Sequence, residues 1–150
     1  MQHGYILEII RISEEYMKKY IADTNFILRY LLADNVESYK QTKIIFEEAR
    51  IGKCQVEIEQ SVFAEVIFVL SSFYEVPRQE IVRILKSLLS YKGIKMDSDI
   101  YLSALDIYSQ NNIHIVDSIL AVKALSSDDE LLTFDKKLHN IIDRKLNSEK

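Results

Sequence analysis

Residues 18–32 read KKYIADTNFILRYLL, and this stretch decides how the chain folds. The short apolar run at 18–22 is rich in β-forming side chains and predicts a strand. The helical spacing of apolar residues over 25–32 predicts a helix directly after it. Asp23 and Thr24 lie where the two elements meet. The stretch therefore predicts a strand that turns into a helix at an acidic residue.

The rest of the chain repeats this alternation of strands and helices. Further strands are expected over 54–58, 94–96 and 131–134, and further helices over 36–50, 61–74, 77–91, 99–110, 116–125 and from about 136. Ser61 is expected to cap the third helix, and Pro77 suits the first turn of the fourth. Alternating strands and helices indicate an α/β fold with a short parallel sheet and helices on both faces.

Composition narrows the class of protein. The chain has 150 residues, of which 48% are hydrophobic and 28% charged, and it is expected to form one globular domain. No apolar run reaches the ~18 residues of a membrane helix, so we expect a soluble, cytoplasmic protein. Cys54 is the only cysteine, which excludes a disulfide framework. With three glycines, the chain cannot contain the glycine-rich nucleotide-binding loops.

The net charge of −4 argues against a protein that coats nucleic acid through a broad basic surface. It does not exclude a nuclease, because acids that hold metal ions count toward that charge and the bound metal restores positive potential.

The first sixteen residues stand apart from the rest. Apolar residues at helical spacing run from Ile6 to Tyr20, yet the pattern of strand, acid and helix begins only near Met17. We therefore divide the chain into an N-terminal extension, 1–16, and a domain, 17–150. The extension is either an added helix or a segment upstream of the true start of translation.

Four acidic residues lie among apolar neighbours, whereas most acids here lie in polar runs. They are Asp23, Glu65, Asp117 and Asp135. An isolated carboxylate in an apolar setting needs a compensating partner, and no basic residue lies between Lys53 and Arg78 to serve Glu65. Acids at the carboxyl ends of parallel strands converge on one edge, where such folds bind ligands. Clustered carboxylates suit Mg²⁺ or Mn²⁺.

Each of these acids also has a purely structural interpretation. Asp23 and Asp117 could cap or charge-match the start of a helix, and Asp135 could be an ordinary helix cap before Lys136. Glu65 is the strongest candidate, because we expect it to be buried in mid-helix, where no cap explains it.

Four segments together resemble the PIN domain, in order and in spacing. They are Ile21-Ala22-Asp23-Thr24-Asn25-Phe26, Ser61-Val62-Phe63-Ala64-Glu65-Val66, Val116-Asp117-Ser118-Ile119-Leu120-Ala121 and Leu132-Thr133-Phe134-Asp135-Lys136. The resemblance extends from Met17 to about Leu146. The size and single-domain layout are similar to those of VapC-type toxins of prokaryotic toxin–antitoxin pairs.

The resemblance implies a three-layer PIN-like domain and a metal-dependent endoribonuclease that cleaves RNA by metal-activated water. By block position, the catalytic and metal-binding residues would be Asp23, Glu65, Asp117 and Asp135, with Mg²⁺ or Mn²⁺ as the ion. Thr24, Asn25 and Thr133 match polar positions that line such a centre in a supporting role. One departure is His114, which stands where many relatives carry a further acid.

The resemblance also implies partners: an RNA substrate, a small antitoxin protein and a second copy in a homodimer. The segments 62–74 and 78–91 carry many large apolar side chains, which predicts an exposed apolar face for such a partner.

Two other functional classes compete with the nuclease. A phosphoaspartate phosphatase would need a second aspartate two residues after Asp23, where this chain has Asn25. A receiver domain would need an adjacent acidic pair before the next strand of the sheet, and that pair is also missing. The other alternative is a catalytically silent PIN-like module that binds RNA or protein.

Overall fold

The computed structural model describes residues 2–149, with side chains from residue 4 onward except those of 12–15. Positions 1 and 150, the outer ends of the two predicted segments, lie outside the described residues. Eight helices and three strands are found in the described range. They are α1 (Gln2–Glu15), β1 (Lys18–Ile21), α2 (Thr24–Leu32), α3 (Val36–Arg50), β2 (Cys54–Glu57), α4 (Gln60–Ser72), α5 (Arg78–Leu89), β3 (Ile94–Lys95), α6 (Ser98–Gln110), α7 (Ile115–Ser126) and α8 (Lys136–Ser148).

The three strands form one parallel sheet in the order β1-β2-β3. Tyr20 is paired with Val56, which is in turn paired with Ile94. Parallel strands cannot be joined by a tight turn, so the connections between them contain α2 and α3, then α4 and α5. The predicted α/β class with a short parallel sheet is confirmed.

The described chain divides into two compact units, 1–62 with 90–95 and 63–89 with 96–150. The first unit contains the sheet, and its central strand β2 is the most buried, with Cys54 0% and Val56 1% exposed. Helix α2 packs on α3 through aromatic rings, since the ring centres of Tyr30 and Phe46 lie 4.4 Å apart. Burial of these apolar side chains is the main force that holds the unit together.

Gly93 lies where the end of α3, β2 and the start of β3 meet in the first unit. Its N–H donates to the Ala49 carbonyl over 2.7 Å, and its carbonyl accepts from Val56 N over 2.8 Å. A Cβ at this position would lie 2.0 Å from the Cys54 carbonyl oxygen. The close approach of these backbones therefore requires a glycine.

The second unit is helical and is built from most of α4 and from α5 to α8. Its interior is apolar, with Leu105 and Ile119 fully buried. The rings of Phe63 and Tyr101 meet edge to face, 5.0 Å apart, and join α4 to α6. The apolar sides of these helices therefore face the interior of the second unit.

Several predicted boundaries differ from the structure by one or two residues, and one predicted element does not form. Helix α4 begins at Gln60, so Ser61 lies inside it instead of capping it, and it ends at Ser72. The predicted strand at 131–134 is wrong, because these residues form no sheet ladder. Local bonds hold the segment instead: Thr133 Oγ1 accepts from Asp135 N, and the Thr133 carbonyl lies 2.8 Å from His139 Nε2.

Within the N-terminal extension, residues Gln2–Glu15 form the helix α1. Every described side chain from Gly4 to Arg11 is exposed, including Ile6 at 54%, Ile9 at 65% and Ile10 at 47%. Of the apolar residues of α1, those from Tyr5 to Ile10 are therefore not part of the core.

Candidate active site

Asp23 lies at the carboxyl end of β1 and is the N-cap of α2. The strand ladder continues through Ala22, whose N–H donates to the Glu57 carbonyl over 3.1 Å. The Asp23 backbone is extended, and its Oδ1 accepts from Phe26 N over 2.8 Å. The side chain is exposed. The capping interpretation therefore holds for Asp23, and the same bond fixes its carboxylate at the end of the strand.

Asp135 is the N-cap of α8 and is also exposed. Its Oδ1 accepts from Lys137 N over 2.9 Å and from Leu138 N over 3.3 Å. Thr133 Oγ1 accepts from the Asp135 N–H over 3.1 Å. Thr133 therefore helps to fix the backbone of Asp135.

Glu65 is on the outer side of α4, and the expectation that it is buried is wrong. Its neighbours Val66 and Ile67 are each 1% exposed, whereas Glu65 itself is exposed. A helix turns about 100° per residue, so adjacent positions face different directions. Its carboxylate is therefore accessible to a ligand, and no burial cost has to be offset.

Asp117 lies in the first turn of α7 and is half-buried. His114 is the N-cap of this helix but makes no side-chain cap bond. The His114 carbonyl accepts from Ser118 N over 3.1 Å instead. A carboxylate in the first turn is stabilised by the partial positive charge of the helix start.

A cavity of about 430 Å³ in the second unit brings part of the predicted site together. Glu65 lines it from α4, and His114 and Val116 line it from the start of α7. We call it the α4–α7 pocket, and its lining residues are Ala64, Glu65, Ile67, Phe68, Ser71, Ser72, Arg78, Tyr108, His114, Ile115 and Val116. Glu65 and the first turn of the helix that carries Asp117 thus border one space.

A second cavity, of about 500 Å³, lies beside Asp23 in the first unit. It is lined by Asp23, Phe26 and residues of β1 and β2, including Tyr20, Ile21 and Val56. Most of these lining residues are apolar, and Asp23 is the one acid among them.

The four acids differ in which unit they belong to, since Asp23 lies in the first and the other three in the second. Carboxylate oxygens are the ligands that Mg²⁺ and Mn²⁺ prefer, so the donor chemistry fits such an ion. Among the described side chains, those of residues 4–11 and 16–149, however, no three of His, Cys, Asp or Glu are grouped closely enough to hold a metal.

The polar residues Thr24 and Asn25 lie at the start of α2, and two cations, Arg29 and Lys137, have structural partners. Thr24 is the first residue of α2 and is half-buried, and Asn25 beside it is exposed. Arg29, which could meet RNA phosphates, pairs with Asp34 over 2.8 Å. Lys137 Nζ donates to the Asn112 carbonyl over 2.9 Å.

The expected apolar face on α4 and α5 is mostly internal packing. Phe68 and Phe73 are exposed, at 62% and 76%, and Ile84 is half-buried. The other members of that set are buried: Phe63, Ile67, Leu70, Ile81, Leu85, Leu88 and Leu89. A continuous groove for a partner helix between α4 and α5 is therefore not supported.

Arg78 is the pocket residue that sequence reasoning missed. Its Nη1 donates to the Tyr108 carbonyl over 2.8 Å and to the Ile113 carbonyl over 3.0 Å. A signal was present, because a cation at the first position of a helix opposes the helix dipole and so needs another reason to be there. Phe68 was expected only as part of an apolar face for a protein partner.

The parallel three-stranded sheet and the helices that connect its strands define an α/β domain. The chain belongs to the PIN domain family, whose model matches residues 20–143. PIN domains are typically metal-dependent nucleases that act on RNA, and they generally use divalent ions. No curated protein and no solved structure shows significant similarity to the chain. Among residues 2–149, no helix combines the length and the hydropathy needed to cross a bilayer.

Proposed function

We propose that this chain is a metal-dependent endoribonuclease and the toxin of a toxin–antitoxin pair. The observation that carries the proposal is the family match, because residues 20–143 include all four candidate acids in the order of the family's blocks. Their accessibility supports it: Asp23, Glu65 and Asp135 are exposed and Asp117 is half-buried. Acids held only for core packing would not be so placed.

In this proposal, Asp23, Glu65, Asp117 and Asp135 hold one or two divalent ions, Mg²⁺ or Mn²⁺. Such an ion supplies an activated water and stabilises charge on the phosphate being cleaved. The caps of α2 and α8 hold Asp23 and Asp135 through Oδ1, so that Oδ2 is the oxygen to meet a ligand. Thr24, Asn25 and Thr133 orient these acids. A carboxylate fixed in this way loses less conformational freedom when it binds.

The proposed partners are RNA, an antitoxin protein and a second copy of the chain, and the proposed compartment is the cytoplasm. Apart from RNA, on which PIN nucleases act, these assignments rest on the resemblance to VapC-type toxins. The contact surface for the antitoxin would not be a groove between α4 and α5, because most apolar side chains there are buried.

One observation favours the alternative, a catalytically silent PIN-like module. In the part of the chain that the structure describes, the candidate acids do not form a group able to hold a metal. A module of this kind would bind RNA or protein without cleaving RNA.

The two functions are separated by a cleavage assay on purified protein. We expect wild type to cleave a mixed RNA pool with Mg²⁺ or Mn²⁺ and EDTA to stop cleavage. Asp23→Asn should reduce the rate roughly 100-fold or more, because it removes a ligand charge while an asparagine still caps α2.

The matched control is Asp97→Asn, which changes another aspartate at a helix N-cap, that of α6. It should leave cleavage unchanged. Equal activity of Asp23→Asn and wild type, or cleavage that persists in EDTA, would contradict the metal-dependent nuclease. RNA binding without cleavage by wild type would favour the silent module.

A further inference from the structure

The α4–α7 pocket has a wall built from two adjacent rows of side chains on α4. One row is Ala64, Ile67 and Ser71, and the other is Glu65, Phe68 and Ser72. Within each row the residues are three or four apart, so they lie along one side of the helix. The rows place an apolar strip and two hydroxyl groups next to the carboxylate of Glu65.

Several side chains that line the pocket are exposed to solvent. Phe68 is 62% exposed and Val116 is 45% exposed, and the His114 ring is also exposed. An exposed phenyl group costs free energy in water, and stacking a flat ligand on it recovers that cost.

Arg78 makes part of the pocket lining rigid. Its guanidinium lies 3.8 Å from the centre of the Tyr108 ring and bonds to the Tyr108 and Ile113 carbonyls. These contacts join the start of α5 to α6 and to the segment that leads into α7. They preform this part of the pocket, and the lining includes one positive charge.

We propose that the α4–α7 pocket binds one base of a single-stranded RNA substrate. The base stacks on Phe68, and Ser71 and Ser72 meet its polar edge. The cavity of about 430 Å³ falls within the range of small-molecule sites, roughly 300–1,000 Å³. This inference rests on the proposed function, because a base held in this pocket places the adjoining phosphate near Glu65, one of the candidate acids.

An RNA base fits these observations better than a partner helix. A docked helix needs apolar anchors that continue over two turns, whereas the α4–α7 pocket combines a single exposed ring with hydroxyl groups, an imidazole and a carboxylate. Stacking on an aromatic ring flanked by polar groups is how single-stranded RNA is commonly bound.

The test measures RNA binding apart from cleavage. Fluorescence anisotropy is recorded with a labelled single-stranded RNA and the full-length Asp23→Asn protein, which holds the RNA intact. Adding Phe68→Ala should weaken binding roughly 5- to 100-fold, and Phe68→Tyr should restore it because a tyrosine also stacks. Melting curves check that each variant is folded.

Phe73→Ala is the matched control. Phe73 is an exposed phenylalanine that follows α4, contacts Tyr74 and does not line the pocket. Its loss should leave RNA affinity unchanged. A 4-thiouridine RNA should crosslink to the peptide that contains Phe68 or His114.

Equal affinity with and without the Phe68 ring, or crosslinks only at other peptides, would overturn the base site even if wild type cleaves RNA. Absence of RNA binding would overturn it as well, and the cleavage assay on wild type then decides the nuclease separately. A base site with no cleavage would support the pocket and refute the catalytic proposal.

Discussion

Asp23 and Asp135 each hold the start of a helix and are each proposed to hold a ligand. A change at either position therefore alters stability and site chemistry together unless the replacement separates the two. Asparagine accepts the same cap bonds but carries no charge, whereas alanine removes both the bonds and the charge. Comparing the two replacements isolates each contribution.

We expect Asp135→Ala to lower the free energy of unfolding by about 1 kcal/mol and Asp135→Asn to change it little. The reason is that Oδ1 accepts from Lys137 N and Leu138 N at the start of α8. Urea denaturation measures both values. Asp143→Ala, at an exposed position inside α8, is the control and should have a small effect. An Asp135→Asn variant as unstable as Asp135→Ala would show that the cap is not the stabilising contact.

The Tyr30 hydroxyl lies in a small polar network of the first unit. It is 2.6 Å from the Tyr91 hydroxyl and donates to Glu47 Oε1 over 3.3 Å. Arg50 donates to the other oxygen of Glu47 and lowers the pKa of that carboxyl. Burial, and then the bond with Tyr91, raise the pKa of Tyr30 well above its usual value near 10.

Because the folded state raises the pKa of Tyr30, the stability linked to its proton is present below about pH 10 and is lost as the pH rises further. Tyr30→Phe should cost about 1 kcal/mol at pH 7, and its gap to wild type should narrow above pH 10. Chemical denaturation across that range measures the gap. Tyr39→Phe is the control, since Tyr39 meets Tyr30 through its ring. A gap that stays constant to pH 11 would contradict the assignment.

At the scale of elements, Arg78 links three parts of the second unit. One guanidinium at the start of α5 bonds to the carbonyls of Tyr108 in α6 and of Ile113 just before α7. A lysine keeps the charge but cannot reproduce the planar guanidinium and its stacking on Tyr108. The α7 end that carries His114 and Asp117 thus depends on a residue from another helix.

We expect Arg78→Met to lower the free energy of unfolding by about 2 kcal/mol, because two carbonyls lose a charged donor. Arg78→Lys should recover only part of that loss. Thermal melting with urea titration measures both. Arg83→Met, which breaks an exposed pair with Glu80 on the same helix, is the control and should leave the midpoint nearly unchanged. Similar losses for Arg78→Met and Arg83→Met would contradict a specific role for Arg78.

Most elements could be predicted because their periodicity is set by local packing. The βα boundary at Asp23 and the helix that ends at Arg50 agree with the structure. The segment 131–134 could not be predicted, because its β-forming side chains report a local preference and not whether a partner strand is available. Leu132 and Phe134 are fully or almost fully exposed there.

The four candidate acids were chosen from the sequence, but their surroundings could not be predicted from it. Glu65 appeared buried because its neighbours in the sequence are apolar, yet its own side of α4 also carries the exposed residues Ser61, Phe68 and Ser72. Phe68 made this exposed side of α4 hard to recognise, because the pattern of apolar residues in the sequence does not distinguish an exposed phenylalanine from a buried one. Arg78 could not be placed without the long-range contacts of α5 and α6.

At the scale of the whole molecule, α1 is the least embedded element among the described helices. Its side chains from Gly4 to Arg11 are exposed, and the family match begins only at residue 20. The division into an extension, 1–16, and a nuclease domain, 17–150, therefore stays a prediction that exposure supports.

A chain that begins at Met17 should fold and cleave RNA as the full chain does, because removing α1 takes little from the core. Circular dichroism melting and the RNA cleavage assay are the measurements. The melting midpoint should change by no more than a few degrees, since exposed residues contribute little to stability. Loss of cooperative melting on truncation would show that Ile6, Ile9 and Ile10 have a structural role.

The first unit is assembled from two separated pieces of chain, and this fixes its order of completion on the ribosome. Its third strand lies at 94–95, after α4 and α5 have been synthesised. Until then, Val56 and Ile58 lack the carbonyls of Gly93 and Lys95 to which their N–H groups donate. The nascent protein thus presents an open sheet edge for the time taken to add about forty residues, roughly 2–8 s at 5–20 residues per second. A translational pause that delays the emergence of β3 from the ribosome would lengthen that exposure.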